Sequence, residues 1–161
     1  MAFDTSEPLR GPHRLHELVA AIVAAEVPES HWLEWKTSLD FSTTAGRFAA
    51  ARTIIAFANR DPAVAARVCG GEGYLVIGAE AGHASGVDEI DPAALHEKLR
   101  TFVDGPHWEV AFVDVSGVRV AVLTVAAPQP GDRIHSLVKT HEGSRSGTVF
   151  HRGVGGSAPA T

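Results

Sequence analysis

Between Arg14 and Glu26 the apolar residues Leu15, Leu18, Val19, Ile22 and Val23 recur three and four positions apart. That spacing predicts a helix with one buried stripe, and Pro28 ends it. From Trp32 to Leu39 the pattern reads as a strand. Alternation puts Leu33 and Trp35 on one face and Trp32, Glu34 and Lys36 on the other. Residues 40–46 read as a loop in which Thr43 or Thr44 can cap the next helix. That helix runs from Arg47 to Asn59 with Phe48, Ala51, Ile55 and Ala58 as its stripe, widened by Ile54 and Phe57. An alanine-rich insert, Arg60 to Cys69, opens with Asp61-Pro62 and suits a short helix. Glycines at 70, 71 and 73 form a turn before the apolar run Tyr74 to Ala79, which reads as a buried central strand.

The second half of the chain has a similar punctuation. Residues 82–86 turn the chain, and Asp91-Pro92 provides a cap and first-turn proline for a helix carrying Leu95, Leu99, Phe102 and Val103, ending at Gly105. Trp108–Val115 and Val118–Ala126 pair as a hairpin around Ser116-Gly117. A proline and glycine loop covers 127–133. Ile134 to Lys139 reads as a short strand, 141–147 as a loop, and Thr148 to Arg152 as a last strand. Residues 1–12 read as a flexible leader and 156–161 as a flexible tail around one domain over 13–155. The alternation of helices and strands favours an α+β domain with a mixed β-sheet packed with helices.

Composition narrows the function classes. The length of 161 residues suits one domain, and no apolar run is long enough to cross a membrane. A single cysteine, Cys69, excludes an internal disulfide framework and any zinc site needing several thiolates. With no secretory signal at the N-terminus, a reducing, cytoplasmic setting is expected. The formal net charge is −5 and the arginines and lysines are scattered, so any nucleic-acid contact must be local or metal-assisted.

Three acids stand at element edges. Glu29, Glu34 and Glu80 can converge as an oxygen-rich cluster of the kind that binds Mg²⁺ or Mn²⁺. The alternative is solvated surface charge, with Glu34 paired to Lys36. Glu29 lies five residues before Glu34, so the two can serve one site only if Glu29 sits off the strand, on the bend after Pro28. Lys36 can contact phosphate or steady developing charge. Asn59 can bind nucleic acid or cap its helix in the left-handed conformation. Arg152 can grip a phosphate or lie idle on the surface. The glycines at 70–73 lack the Gly-Lys-Ser/Thr ending of a P-loop, which disfavours that ATPase class.

Taken in order, Glu29-x4-Glu34-Trp-Lys36, Ala56-Phe-Ala-Asn59, Gly70-Gly71, Leu75–Gly78 with Glu80, Gly86 and Arg152-x-Gly resemble the Schlafen-type AlbA-like domain over about residues 27–155. The resemblance implies an Alba-related fold and a nucleic-acid-binding role, for which Lys36, Asn59, Arg60 and Arg152 are the candidate contacts in this chain. Bacterial domains of this type often precede a helix-turn-helix or ATPase-like region. Eukaryotic relatives include RNases that use three acids and a divalent metal. By position those acids are Glu29, Glu34 and Glu80, beside Lys36. The chain departs from the family form at Trp35 (usually Phe), Glu80 (usually Asp) and Arg60 (usually Thr). It also carries the insert, lacks the zinc-binding cysteines and has one copy of a domain that the eukaryotic nucleases duplicate. Three readings follow: a nucleic-acid-binding module (RNA or DNA), a metal-dependent endoribonuclease that would need a homodimer, and a protein-interaction or structural domain.

Overall fold

The computed structural model describes residues 3–153 and 156–160. Helix α1 (Gly11–Val23) is followed by strand β1 (Leu33–Lys36), helix α2 (Thr44–Ala58), a short helix α3 (Pro62–Ala65), strand β2 (Gly73–Ile77) and the two-residue strands β3 (Ala79–Glu80) and β4 (His83–Ala84). Helix α4 (Pro92–Leu99), strands β5 (Trp108–Val115) and β6 (Val118–Val125), and the short strands β7 (Phe150–Arg152) and β8 (Ser157–Pro159) complete the order. The main sheet runs β1-β2-β6-β5. Strands β1 and β2 are parallel because α2 crosses between them, whereas β2/β6 and β5/β6 are antiparallel. The α+β mixed sheet is therefore as expected.

The sheet is covered on both faces. Tyr74 and Val76 of β2, with Val120 and Val122 of β6, join Leu18, Val19 and Ile22 of α1 in one core. Leu75, Ile77, Ala121 and Leu123 point the other way, onto α2 and α4. Helix α2 is buried nearly all round, beyond the stripe its sequence suggested, because β7 and β8 pack over its outer side. Its N-cap is Thr43, whose hydroxyl accepts from Gly46 N at 3.0 Å. Asp91 caps α4 as expected, accepting from Ala94 N, and Asp61 caps α3 in the same way, accepting from Val64 N.

Several expectations need correction. Trp32 does not share a face with Glu34. The strand begins only at Leu33, after a tight Ser30–Leu33 bridge, and Trp32 turns into the α1-side core with its ring edge-on to Tyr74. Helix α4 ends at Leu99 rather than Gly105, although Phe102 and Val103 remain in the core. Residues 134–139 form no strand; their backbone groups go to scattered partners, with Leu137 N bonding Thr148 O and Val138 N bonding Phe102 O. The segment read as a tail forms β8 against β7, while Val154, Gly155 and Thr161 lie outside the described residues. The leader is laid on the fold: Leu9 is buried, its N–H donates to the Tyr74 hydroxyl at 2.8 Å, and Thr5 O accepts from Cys69 N.

Glycine is required between β2 and β3. Gly78 has φ +100°, and a Cβ there would meet the Gly86 backbone at 2.8 Å, since Gly78 O accepts both Ser85 N and Gly86 N. Gly78→Ala should therefore lower stability by roughly 2–3 kcal/mol through combined strain and overlap, measured as a lower urea midpoint.

Candidate functional site

Glu34 occupies the centre of the arrangement. It sits on β1 facing α2 and is buried. Its Oε2 accepts from the Thr53 hydroxyl at 2.5 Å. Its Oε1 lies 3.4 Å from Arg152 Nη1 and 3.7 Å from Lys36 Nζ. Thr53 was not foreseen as a partner. The only signal is a hydroxyl in a run, Ala49 to Ala58, that is apolar apart from Arg52 and Thr53, since polar groups buried in a helix need an acceptor.

The Arg152 side chain has 0% exposure. Its Nη2 donates to Ser30 O and Leu33 O, both at 2.9 Å, and its Nε donates to Ser30 O at 3.2 Å. Its guanidinium lies 5.0 Å from the centre of the Phe57 ring. This arginine thus clasps the start of β1 from inside the protein, and in this geometry it presents no donor to solvent.

Glu29 lies off the strand, and its carboxylate points back along it. Glu29 Oε1 accepts from Trp35 N at 3.0 Å. Strand β1 is an edge strand, and this contact satisfies an N–H that no neighbouring strand can reach. Glu80 stands beyond Gly78 on β3, where its Oε2 accepts from the Thr37 hydroxyl at 3.1 Å. Among the described residues no group of three or more His, Cys, Asp or Glu side chains is placed to hold a metal ion. The three acids accordingly do not form a ready carboxylate cage for Mg²⁺ or Mn²⁺.

Asn59 ends α2, but in a right-handed conformation (φ −92°, ψ 6°) and not the left-handed one expected of a cap. Its side chain reaches sideways: Nδ2 donates to His135 O (2.8 Å) and Phe150 O (3.1 Å), and Oδ1 accepts from His135 N (2.8 Å). It anchors residues 134–136 and β7 to the helix end. Arg60 is also buried, donating from Nε to Phe57 O and from Nη2 to Gly71 O at 2.8 and 2.5 Å. Because Gly71 lies just past the insert, Arg60 fastens one end of the insert to the other. Lys36 alone of these four keeps a partly solvent-reachable charge.

A family model described as Schlafen, AlbA_2 matches residues 29–161. The chain belongs to the Schlafen AlbA_2 family. The match spans β1, α2, β2 and the C-terminal strands, so it takes in Glu34, Asn59 and Arg152. Among curated proteins none matches the chain. Two solved structures share the fold. The crystal structure of the DIP2311 protein from Corynebacterium diphtheriae superposes with a TM-score of 0.59 at 19% identity, covering 94% of this chain and 31% of that one. The solution structure of the N-terminal domain of an ATP-dependent DNA helicase RecG-related protein from Nitrosomonas europaea superposes with a TM-score of 0.51 at 19% identity, covering 92% of each chain. The chain thus spans about a third of the first structure and nearly all of the second. At this identity the likeness concerns the fold. Among the described residues no helix is long and apolar enough to cross a membrane.

Arg152→Ala removes the clasp and leaves Glu34 facing only Lys36 and Thr53. We expect a loss of roughly 3–5 kcal/mol in urea unfolding, as when one member of a buried ion pair is deleted. Arg152→Lys should restore only part of it, because an ammonium lacks the planar fork that spans two carbonyls.

Proposed function

We propose that this AlbA_2 domain binds nucleic acid through the segment from Arg133 to Arg152. The observation that carries the reading is the charge of that segment. It holds four arginines and lysines against one acid, Glu142, whereas the remainder of the chain holds ten against eighteen. An acidic protein thus keeps a local basic excess, which is what contact with phosphate requires. Arg152 is internal, but Arg133, Lys139, Arg145 and His151 are exposed.

The shape of the segment supports the same use. Leu137 and Phe150 are buried anchors, and Leu137 N and Thr148 O bond at 2.8 Å to close a loop that carries Lys139 and Arg145. Asn59 fixes the segment where it leaves Arg133. Two of the large apolar side chains most open to water also lie here, Ile134 at 73% and Val138 at 46% exposure. Cations track a backbone while neighbouring aliphatic groups meet base or sugar surface. The family and the RecG-related structural neighbour agree with this reading.

About three phosphate contacts should give a log–log salt slope of roughly −2 on single strands and −3 on duplex. Fluorescence anisotropy with labelled RNA and DNA oligonucleotides at several salt concentrations measures it. Lys139→Glu and Arg145→Glu should each weaken binding and flatten the slope by about one. Affinity that is unmoved by both substitutions, or no binding at low salt, rules this surface out.

A further inference from the structure

The two edges of the main sheet are finished differently. At β1 the Glu29 carboxylate takes an outward N–H, and the strand is only four residues long. At the other edge β5 runs for eight residues, Trp108 to Val115, in unbroken register with β6. It contains no proline, lysine or arginine and no bulge, the features that keep an edge strand from pairing further.

The register fixes which backbone groups of β5 face outward. Val115 and Val118 flank the two-residue turn Ser116-Gly117, both of whose residues have positive φ, so these valines exchange hydrogen bonds. Ladder bonds alternate, so Val113, Ala111 and Glu109 also bond to β6, and His107 O accepts from Ala126 N in the same phase. The N–H and C=O groups of Trp108, Val110, Phe112 and Asp114 therefore point away from the sheet. Among the described residues nothing bonds to them. The middle of the strand is also incompletely covered. Val110 and Phe112 on the α2 and α4 side, and Ala111 on the α1 side, are only half-buried. An open groove of about 440 Å³ runs beside these three residues and is lined on its other wall by Leu9 and Leu15.

We propose that a second copy of this chain occupies this edge, β5 pairing antiparallel with β5 across a twofold axis at Ala111. Backbone geometry restricts the choice of register. Residues that exchange bonds across a new ladder must both face outward, so even-numbered positions of β5 lie only opposite even-numbered ones. A register setting Glu109 against Asp114 of the second copy, acid on acid, is thereby excluded. The axis at Ala111 uses every outward group: Trp108 lies opposite Asp114 of the second copy and Val110 opposite its Phe112, with the reverse pairs beyond the axis. Registers shifted by two residues leave strand ends overhanging. At the chosen one the half-open Val110 and Phe112 cover each other, an aromatic and β-branched pair of the kind that stabilises sheets. Glu109 meets Val113 of the second copy, and Asp114 keeps its ion pair with Arg119 at 2.8 Å. This self-complementarity is what favours a second copy over an unrelated strand.

Sedimentation equilibrium of the whole chain should show monomer and dimer exchanging with concentration. Each copy has a formal net charge of −5, so added salt should tighten the dimer, opposite in sign to the salt effect expected for oligonucleotides. Val110→Pro removes an N–H that no bond within the chain uses, a change that edge strands accept. It should raise the dimer Kd roughly ten- to a hundredfold while the circular dichroism spectrum stays the same. Ala111→Cys tests the register without altering the backbone. It sets two thiols on the axis with Cα atoms about 4.5 Å apart, within disulfide range, and should cross-link under oxidised glutathione. Glu109→Cys places its two thiols well away from each other and should stay uncross-linked; Cys69 is buried and does not compete. A monomer at every concentration up to the millimolar range, an undiminished dimer in a folded Val110→Pro, or equal cross-linking of the two cysteine variants would overturn the proposal. These measurements contain no nucleic acid, so their failure and that of the binding reading are seen separately.

Discussion

The clasp of Arg152 on the start of β1 is the constraint on which much of the molecule depends. A fully buried guanidinium must have acceptors, and it finds them in Ser30 O, Leu33 O and the Glu34 carboxylate. Those acceptors lie about 120 residues earlier in the chain. Satisfying them brings β7 against α2, sets where β1 begins, and buries Glu34 against Thr53. The same demand explains why β1 can be so short. It is held on one side by β2, at its start by Arg152, and along its open edge by the Glu29 carboxylate. Ion pairs of this kind contribute little net stability over an apolar replacement, but a mispaired alternative leaves a bare charge inside, which selects one arrangement.

The acids therefore acquire distinct tasks. Glu34 balances internal cations, Glu29 satisfies an edge N–H, and Glu80 holds Thr37 across the Gly78 bend. Family membership is secure from the match over most of the chain, and in this arrangement each of the three acids accepts from a different partner. Arg60 adds a second internal cation close to the first. It fastens the insert, which displaces the glycine pair from its place in the family form, and it introduces a positive charge that Glu34 does not neutralise.

Opposite demands shape the exposed basic segment. Its backbone groups are satisfied piecemeal, by Asn59, Phe102 and the Leu137–Thr148 pairing, and not by a sheet neighbour. Such a loop can present several cations at once without a regular element, while buried Leu137 and Phe150 hold its ends. On an acidic protein, repulsion elsewhere would confine the proposed phosphate contact to this one face.

Local rules were enough for much of the fold. The caps at Thr43, Asp61 and Asp91, the 108–125 hairpin and the buried β2 are each written in neighbouring residues, because capping, turn geometry and strand alternation act over a few positions. What sequence left open depended on distant partners. Ile134 to Lys139 has strand-like composition but no strand to pair with. Asn59 reads as a helix cap but bonds to residues more than seventy positions away. Arg152 reads as a surface cation but is internal, and the basic excess of 133–152 reads as scatter until exposure separates its members. Burial and charge balance are properties of what folds around a residue, so only the tertiary structure could decide which charges bind one another and which are left for a ligand.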